Sequence, residues 1–370
     1  EITFNKHIAP IFFASCTDCH RDGEIAPFTL TSYEDVLGWE DTILEVIDDQ
    51  RMPPWSADPA HGTFANDARL SQAEKDLIET WVDNGMPEGA PADLPALPDF
   101  VPGWKFGKPD EIIAMRDKPF QVPAEGVVDY QYFVVDPHWD EDKYVVASEA
   151  RPENRSVVHH IIVYVMPPGE KRPSLRRMLV GYAPGSLPVV LNDGIAMHVP
   201  AGSKLLFEVH YTPNGTVQSD RSYVGFRFTE KENVKKHLIG GVAADGEFEI
   251  PPNAPDHEVF ASHSVNRDTM LLSMTPHMHL RGKAFRYEAR YPDGRLETLL
   301  NVPKYDFNWQ LKYILETPKL LPKGTAIECT AVFDNSDANP FNPNPDVAVK
   351  WGDQSFNEMM IGFMDMVAAD

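Results

Sequence analysis

Three groups of residues in this chain of 370 residues have the types and spacing for metal chemistry. The first is Cys16-Thr17-Asp18-Cys19-His20. In a C-x-x-C-H motif the two thiols can add across the vinyl groups of a haem, and the histidine held by the same turn ligates the iron from one side. The rival chemistries fit less well, since a zinc site needs four ligands and finds three here, while a thioredoxin-like dithiol needs no histidine and a βαβ setting. Covalent attachment of a haem c is therefore expected at Cys16, Cys19 and His20. A second axial ligand must come from nearby, and Met52 in Arg51-Met52-Pro53-Pro54-Trp55 is the best candidate. The two prolines fix the backbone and forbid a helix, which presents the thioether from a rigid loop. Met86, His7 and His61 compete with it, and a methionine in a small helical domain ordinarily packs a core.

The other two groups are histidine-based. Ten of the 13 histidines follow residue 137, and His159-His160, His210 in Phe207-Glu208-Val209-His210-Tyr211, and His277-Met278-His279 stand out. Taken singly, each reads as a core or surface histidine with a satisfied hydrogen bond; the specificity lies in the set. On a strand, side chains two apart share a face, so His277 and His279 can reach one metal, whereas His159 and His160 can do so only if their strand bulges or twists. Imidazoles suit copper, zinc, iron or nickel, and an added thioether favours copper(I). The stretch Glu358-Met359-Met360-Ile361-Gly362-Phe363-Met364-Asp365-Met366 could supply one, although methionines at that density usually line a core.

The elements that must position these residues divide the chain. From Ile2 to Ala90 the pattern is helical, with apolar residues three and four apart over Leu37 to Ile47 and Glu74 to Val82; Ser71 to Glu74 is a capping box and Gly85 a stop. A proline-rich stretch follows and reads as a semi-rigid linker. Beyond it the period becomes two, over Val145 to Ala147, Val157 to Val165, Lys204 to Tyr211, Ser222 to Phe228, Thr269 to Met274, Phe285 to Tyr291 and Ala326 to Phe333, with Asn214-Gly215 and Asp293-Gly294 as turns. The expected fold class is a small all-α domain over residues 1–92, a linker over 93–104, and two all-β antiparallel sandwich domains over 105–239 and 240–370, with a seam near Gly240-Gly241.

Charge and hydropathy limit the partners. With 33 basic against 56 acidic residues, the formal charge of −23 repels phosphate backbones and anionic membrane surfaces, which excludes nucleic acid as a partner. No run of 18 apolar residues occurs, so no integral membrane segment is expected. A start at Glu1 suits a mature exported protein whose signal has been removed. Cys329 stands alone outside the first motif, in a half-buried strand pattern that reads as an inert thiol.

Arg51-Met52-Pro53-Pro54-Trp55, the closing Trp81-Val82-Asp83-Asn84-Gly85 and the C-x-x-C-H motif make residues 1–92 similar to small c-type cytochromes, which implies one-electron transfer. Over residues 105–370, Val158-His159-His160-Ile161, Val209-His210-Tyr211, Pro276-His277-Met278-His279-Leu280 and Asn357-Glu358-Met359 follow one another in the order that resembles the copper type II, ascorbate-dependent monooxygenases. That is the family of peptidylglycine α-hydroxylating and dopamine β-monooxygenases. The resemblance implies two jelly-roll-like sandwiches carrying two mononuclear coppers. His159, His160 and His210 match the copper that relays an electron. His277, His279 and Met359 match the catalytic copper, where oxygen binds and a C–H bond is broken. Covalent haem attachment of this type implies, by resemblance, a periplasmic or otherwise extracytoplasmic location.

The sequence departs from that family in two places. Cys329 has no partner, so the family's disulfides cannot form. The peptide-amidating relative binds its substrate's carboxylate with an arginine and polar residues at places that here hold Thr275, Ile361 and Phe363. A carboxylate there would lose its charge-assisted partners, at a cost of about 2 to 5 kcal/mol. The expected function is a haem-linked copper monooxygenase using O2 as co-substrate to hydroxylate a neutral or apolar small molecule. Its electrons would pass from the haem to the coppers, and ascorbate or a redox protein would be the external donor. The alternatives are a non-catalytic electron-transfer or copper-binding protein, and a copper oxidoreductase that does not hydroxylate.

Overall fold

The structure, a computed structural model, describes residues 1–24, 26–100, 103–183 and 186–370. The expected fold class, an all-α domain followed by two antiparallel sandwiches, is corrected by it. The chain is mostly β, 37% strand against 13% helix, with α-helix confined to short N-terminal segments and with four principal sheets in a four-bladed, propeller-like arrangement. Period-two alternation identifies strands but carries no information about how many sheets they are shared among, and short apolar repeats overstate helix where turns intervene.

The chain forms two compact units, Glu1–Ser56 with Asn66–Pro102, and Ala57–Ala65 with Gly103–Asp370. In the first, the helices are α1 (Ala9–Ser15), α2 (Tyr33–Val36), α3 (Glu40–Asp48) and α4 (Gln72–Asp83). The helix expected from Leu37 begins at Glu40 instead, because Ser32 and Asp35 cap a separate turn of helix before it. At α4 the Ser71 hydroxyl accepts from the Glu74 N–H while the Glu74 carboxylate accepts from the Ser71 N–H, and Gly85, at φ +78°, ends the run. Helix α4 buries Ile78 and Trp81 against Phe4, Ile8 and Phe12. The end of the expected helical domain is held in place: Phe4 N–H and the Trp81 indole donate to Pro87 O, and Asn5 N–H donates to Glu88 O.

In the second unit, strands Gln131–Val135, Lys204–Tyr211, Val158–Met166 and Met178–Tyr182 lie in that order in one antiparallel sheet. Another holds Ile239–Asp245, Met360–Ala368, Thr269–His277 and Tyr313–Leu321. Gly240 and Gly241 thus lie inside a strand. A third contains His257–Ser264, Ala326–Phe333, Gly282–Arg290 and Leu296–Val302. The six-stranded sheet around Lys143–Arg151 and Tyr223–Phe228 shares a buried core with the first, through Val145, Val224 and Phe226 on one side and Ile161, Phe207 and Val209 on the other. Cys329 is buried beneath Gly362, as its alternating setting implies. Among the described residues no helix is long and apolar enough to cross a membrane.

One buried carboxylate ties the histidine strands together. Asp220 accepts from the backbone N–H groups of Glu153 and Asn154 at 3.1 and 3.0 Å, from Ser222 N–H and Oγ at 3.2 and 2.7 Å, and from the Tyr211 hydroxyl at 2.9 Å. Asn154 O in turn accepts from Val158 N–H at the start of the His159 strand, and Tyr211 directly follows His210. Replacing Asp220 with alanine strands several buried donors, and Asp220→Ala is expected to lower stability by about 3 kcal/mol in denaturant titration. A change below about 0.5 kcal/mol would mean that the loop is held by other contacts.

Candidate metal centre

The strand Val158–Met166 pairs with Lys204–Tyr211 so that Val158 faces Tyr211 and His160 faces His210, with a register shift between the two pairs. His159 is the extra residue of that bulge. This is the irregularity that two adjacent histidines need in order to turn toward one point. His159, His160 and His210 each offer a ring nitrogen, and these nitrogens lie within 4.8 Å of one another. The ring centroids are 5.1 to 5.4 Å apart. Tyr130 stacks on His210 at 4.8 Å, and Phe307 stacks on His159 at 5.2 Å, so aromatic walls fix two of the three rings.

Burial decides the protonation state here. It lowers the pKa of His159, of His160 far below its usual value, and of His210 to about 4. All three imidazoles are therefore neutral near pH 7 and carry lone pairs. Nδ1 of His210 is buried and has no hydrogen-bond partner among the described residues. A buried ring nitrogen without a partner beside two more neutral imidazoles fits a cation, so these residues could hold a metal ion.

The second group forms at the end of the strand Thr269–His277. His277 Nδ1 lies 2.6 Å from Gln310 Oε1 and His279 Nδ1 lies 3.3 Å from the Asn357 carbonyl. Both partners are acceptors, so each ring donates from Nδ1 and keeps its Nε2 lone pair for a ligand. The two rings stand 5.2 Å apart at 88°. His279 falls beyond the strand, and pleating does not place it. The buried Glu358 does so, accepting from His279 N–H at 2.8 Å and Arg281 N–H at 2.6 Å. Burial pushes the Glu358 carboxyl up to about 8 despite those donors and the Arg281 charge.

His160, His277, His279 and Met359 line one cavity of about 530 Å³. Ile361 and Phe363 line it too, whereas Thr275 pairs with Phe363 across the sheet and is not part of the lining. The far wall carries Glu208, Asp353, Tyr132, Tyr164 and Lys171, none of which the sequence reading singled out. Burial and the Asp353 charge push Glu208 up to about 7, and the Tyr132 hydroxyl donates to Asp353 at 3.3 Å. Glu208 was findable, because it lies two residues before His210 on the same strand face. Gln310, Tyr130 and Phe307 come from distant segments with no motif to mark them.

In the first unit, Cys16 caps α1, and the N–H groups of Cys19 and His20 both bond to Cys16 O, which makes the compact turn that the motif needs. His20 Nδ1 sits 3.2 Å from Phe28 O, so its Nε2 keeps a lone pair for an axial ligand. Its ring lies against Phe28, which stacks on Trp39 at 4.1 Å. No disulfide joins the cysteines, and burial beside Cys19 pushes the Cys16 thiol up to about 12. This donor set fits a c-type haem. Met52 lies in the same unit, in a turn whose N–H bonds to Val46 O. Among its competitors, His61 belongs to the other unit, His7 Nδ1 accepts from Thr3 N–H at 3.1 Å, and Met86 packs against the core.

No known family model and no curated protein matches the sequence. Solved structures with distant likeness include an allantoicase, at 10% identity and a TM-score of 0.19 over 60% of this chain and 83% of that one. Infectious bursal disease virus Gx strain matches at 10% identity and 0.20 over 70% and 72%, and a Paenibacillus xanthan lyase at 10% and 0.19 over 76% and 28%. Likeness of that size bears on neither fold nor activity.

Removing one imidazole of the three should abolish its site. In metal titrations followed by metal analysis, His210→Ala is expected to lose one bound equivalent, and Gln310→Ala to weaken by about 10- to 100-fold any binding at His277 and His279. Unchanged stoichiometry in His210→Ala would sink the three-histidine assignment.

Proposed function

We propose that the protein is a haem-linked copper monooxygenase that hydroxylates a C–H bond of a neutral or largely apolar small molecule. The observation that carries this reading is that residues of both histidine groups, His160 on one side and His277, His279 and Met359 on the other, line one substrate-sized cavity. Overall, one atom of O2 enters the C–H bond and the other leaves as water, with two electrons and two protons consumed. Copper, when bound, supplies the one-electron and oxygen chemistry of both histidine groups, and the haem serves as an electron store.

The chain's own residues do the rest. Gln310 Oε1 and Asn357 O hold the Nδ1 protons of His277 and His279, fixing which nitrogen faces the cavity. Low dielectric keeps the rings neutral near pH 7, so no proton has to leave before a metal binds. Met359 adds a soft donor that favours a reduced metal. Ile361 and Phe363 give the cavity an apolar wall and His277 an aromatic neighbour at 6.3 Å. Glu208 and Asp353 add carboxylates to the same space, and these disfavour a substrate that is itself an anion. On this reading the electrons come from ascorbate or a redox protein, and the protein works outside the cytoplasm.

Metal analysis should give one haem iron and two coppers per chain. Oxygen uptake should yield a hydroxylated product in the wild type and fall at least about 1000-fold in His277→Ala with haem content unchanged. Retained turnover in that variant would remove the chemistry from this cavity. A peptide ending in glycine should be a poor substrate, and its ready turnover would overturn the assigned substrate class.

A further inference from the structure

A second cavity, of about 640 Å³, has a different character. Its lining includes Arg176, Arg267, His263, Ser262, Ser264 and Asn266, and no acidic residue. The neighbouring Arg177 pairs with Glu170 at 2.9 Å. Neither Arg176 nor Arg267 has an ion-pair partner among the described residues. The nearest acid in sequence, Asp268, already accepts from Lys323 N–H through Oδ1.

The backbone around Arg176 is shaped to hold it at this cavity. Ile239–Asp245 and His257–Ser264 are edge strands of two different sheets, so each leaves one side of its backbone outside any ladder. At the rim, a methyl group on Gly240 would stand 2.7 Å from the Arg176 carbonyl oxygen, so only glycine lets the Arg176 turn settle on that edge. His263 is held from below, its Nδ1 3.2 Å from Val242 O. Burial, and to a lesser degree the Arg176 charge, depresses the proton affinity of His263.

We propose that this cavity binds a small oxyanion, a carboxylate or phosphate carried on a molecule of metabolite size, between the guanidinium groups of Arg176 and Arg267, with the serine, asparagine and histidine side chains hydrogen-bonding its remaining oxygens. The site is separate from the histidine-lined cavity, and it does not depend on the proposed reaction.

Calorimetric titration of the holoprotein with citrate and with inorganic pyrophosphate tests it. At least one probe should bind the wild type with one site per chain, and the tighter of the two identifies the oxyanion. The double variant Arg176→Gln/Arg267→Gln should weaken that binding at least about tenfold. Gly240→Ala, which keeps both charges, should weaken it as well. The control Arg177→Gln should leave it unchanged. Melting temperatures report whether each variant is folded. Absence of binding by both probes, or equal binding by wild type and the folded double variant, would overturn the proposal.

Discussion

Adjacent side chains on a flat strand point to opposite faces, and the candidate metal centre exists only because one strand breaks that rule. The extra residue at His159 rotates the backbone enough for His159, His160 and His210 to converge. A bulge has to be held, since it forfeits ladder hydrogen bonds. The Asp220 network does this by fixing the entry to the strand at Asn154 and the partner strand at Tyr211. The stacked rings of Tyr130 and Phe307 then restrict the imidazoles themselves.

Burial acts on this centre in two ways. Desolvation strips the histidines of their protons, which is what a metal requires of them, and it raises the cost of leaving their lone pairs unmet. The same low dielectric carries on to Glu358, where a carboxylate buried with Arg281 works on the backbone of His279. The two groups are thus held by different means: one by the pairing of neighbouring strands, the other by a side chain reaching across from the segment that also carries Met359.

Local signals were legible in the sequence wherever the controlling contact is local. The capping box at Ser71, the stop at Gly85, the strands over Lys204 to Tyr211 and Ala326 to Phe333, and the need for a bulge at His159 could all be read from neighbouring residues. The division of strands into four principal sheets could not, because pairing partners such as Thr269–His277 and Met360–Ala368 lie far apart in the chain and alternation is silent about them. For the same reason the motif positions of the two histidine groups were readable, while Gln310, Tyr130, Phe307 and Asp353 were not.

The segment Ala57–Ala65 gives the molecule an unusual topology of attachment. It belongs to the second unit, with Asp58 N–H bonded to Asn301 O and Phe64 bridged to Leu315, although the chain on both sides of it belongs to the first. The covalent path therefore crosses between the units three times, and the proline-rich stretch is only the last crossing. The first unit is therefore built from two separate stretches of chain, with a piece of the second unit's fold between them.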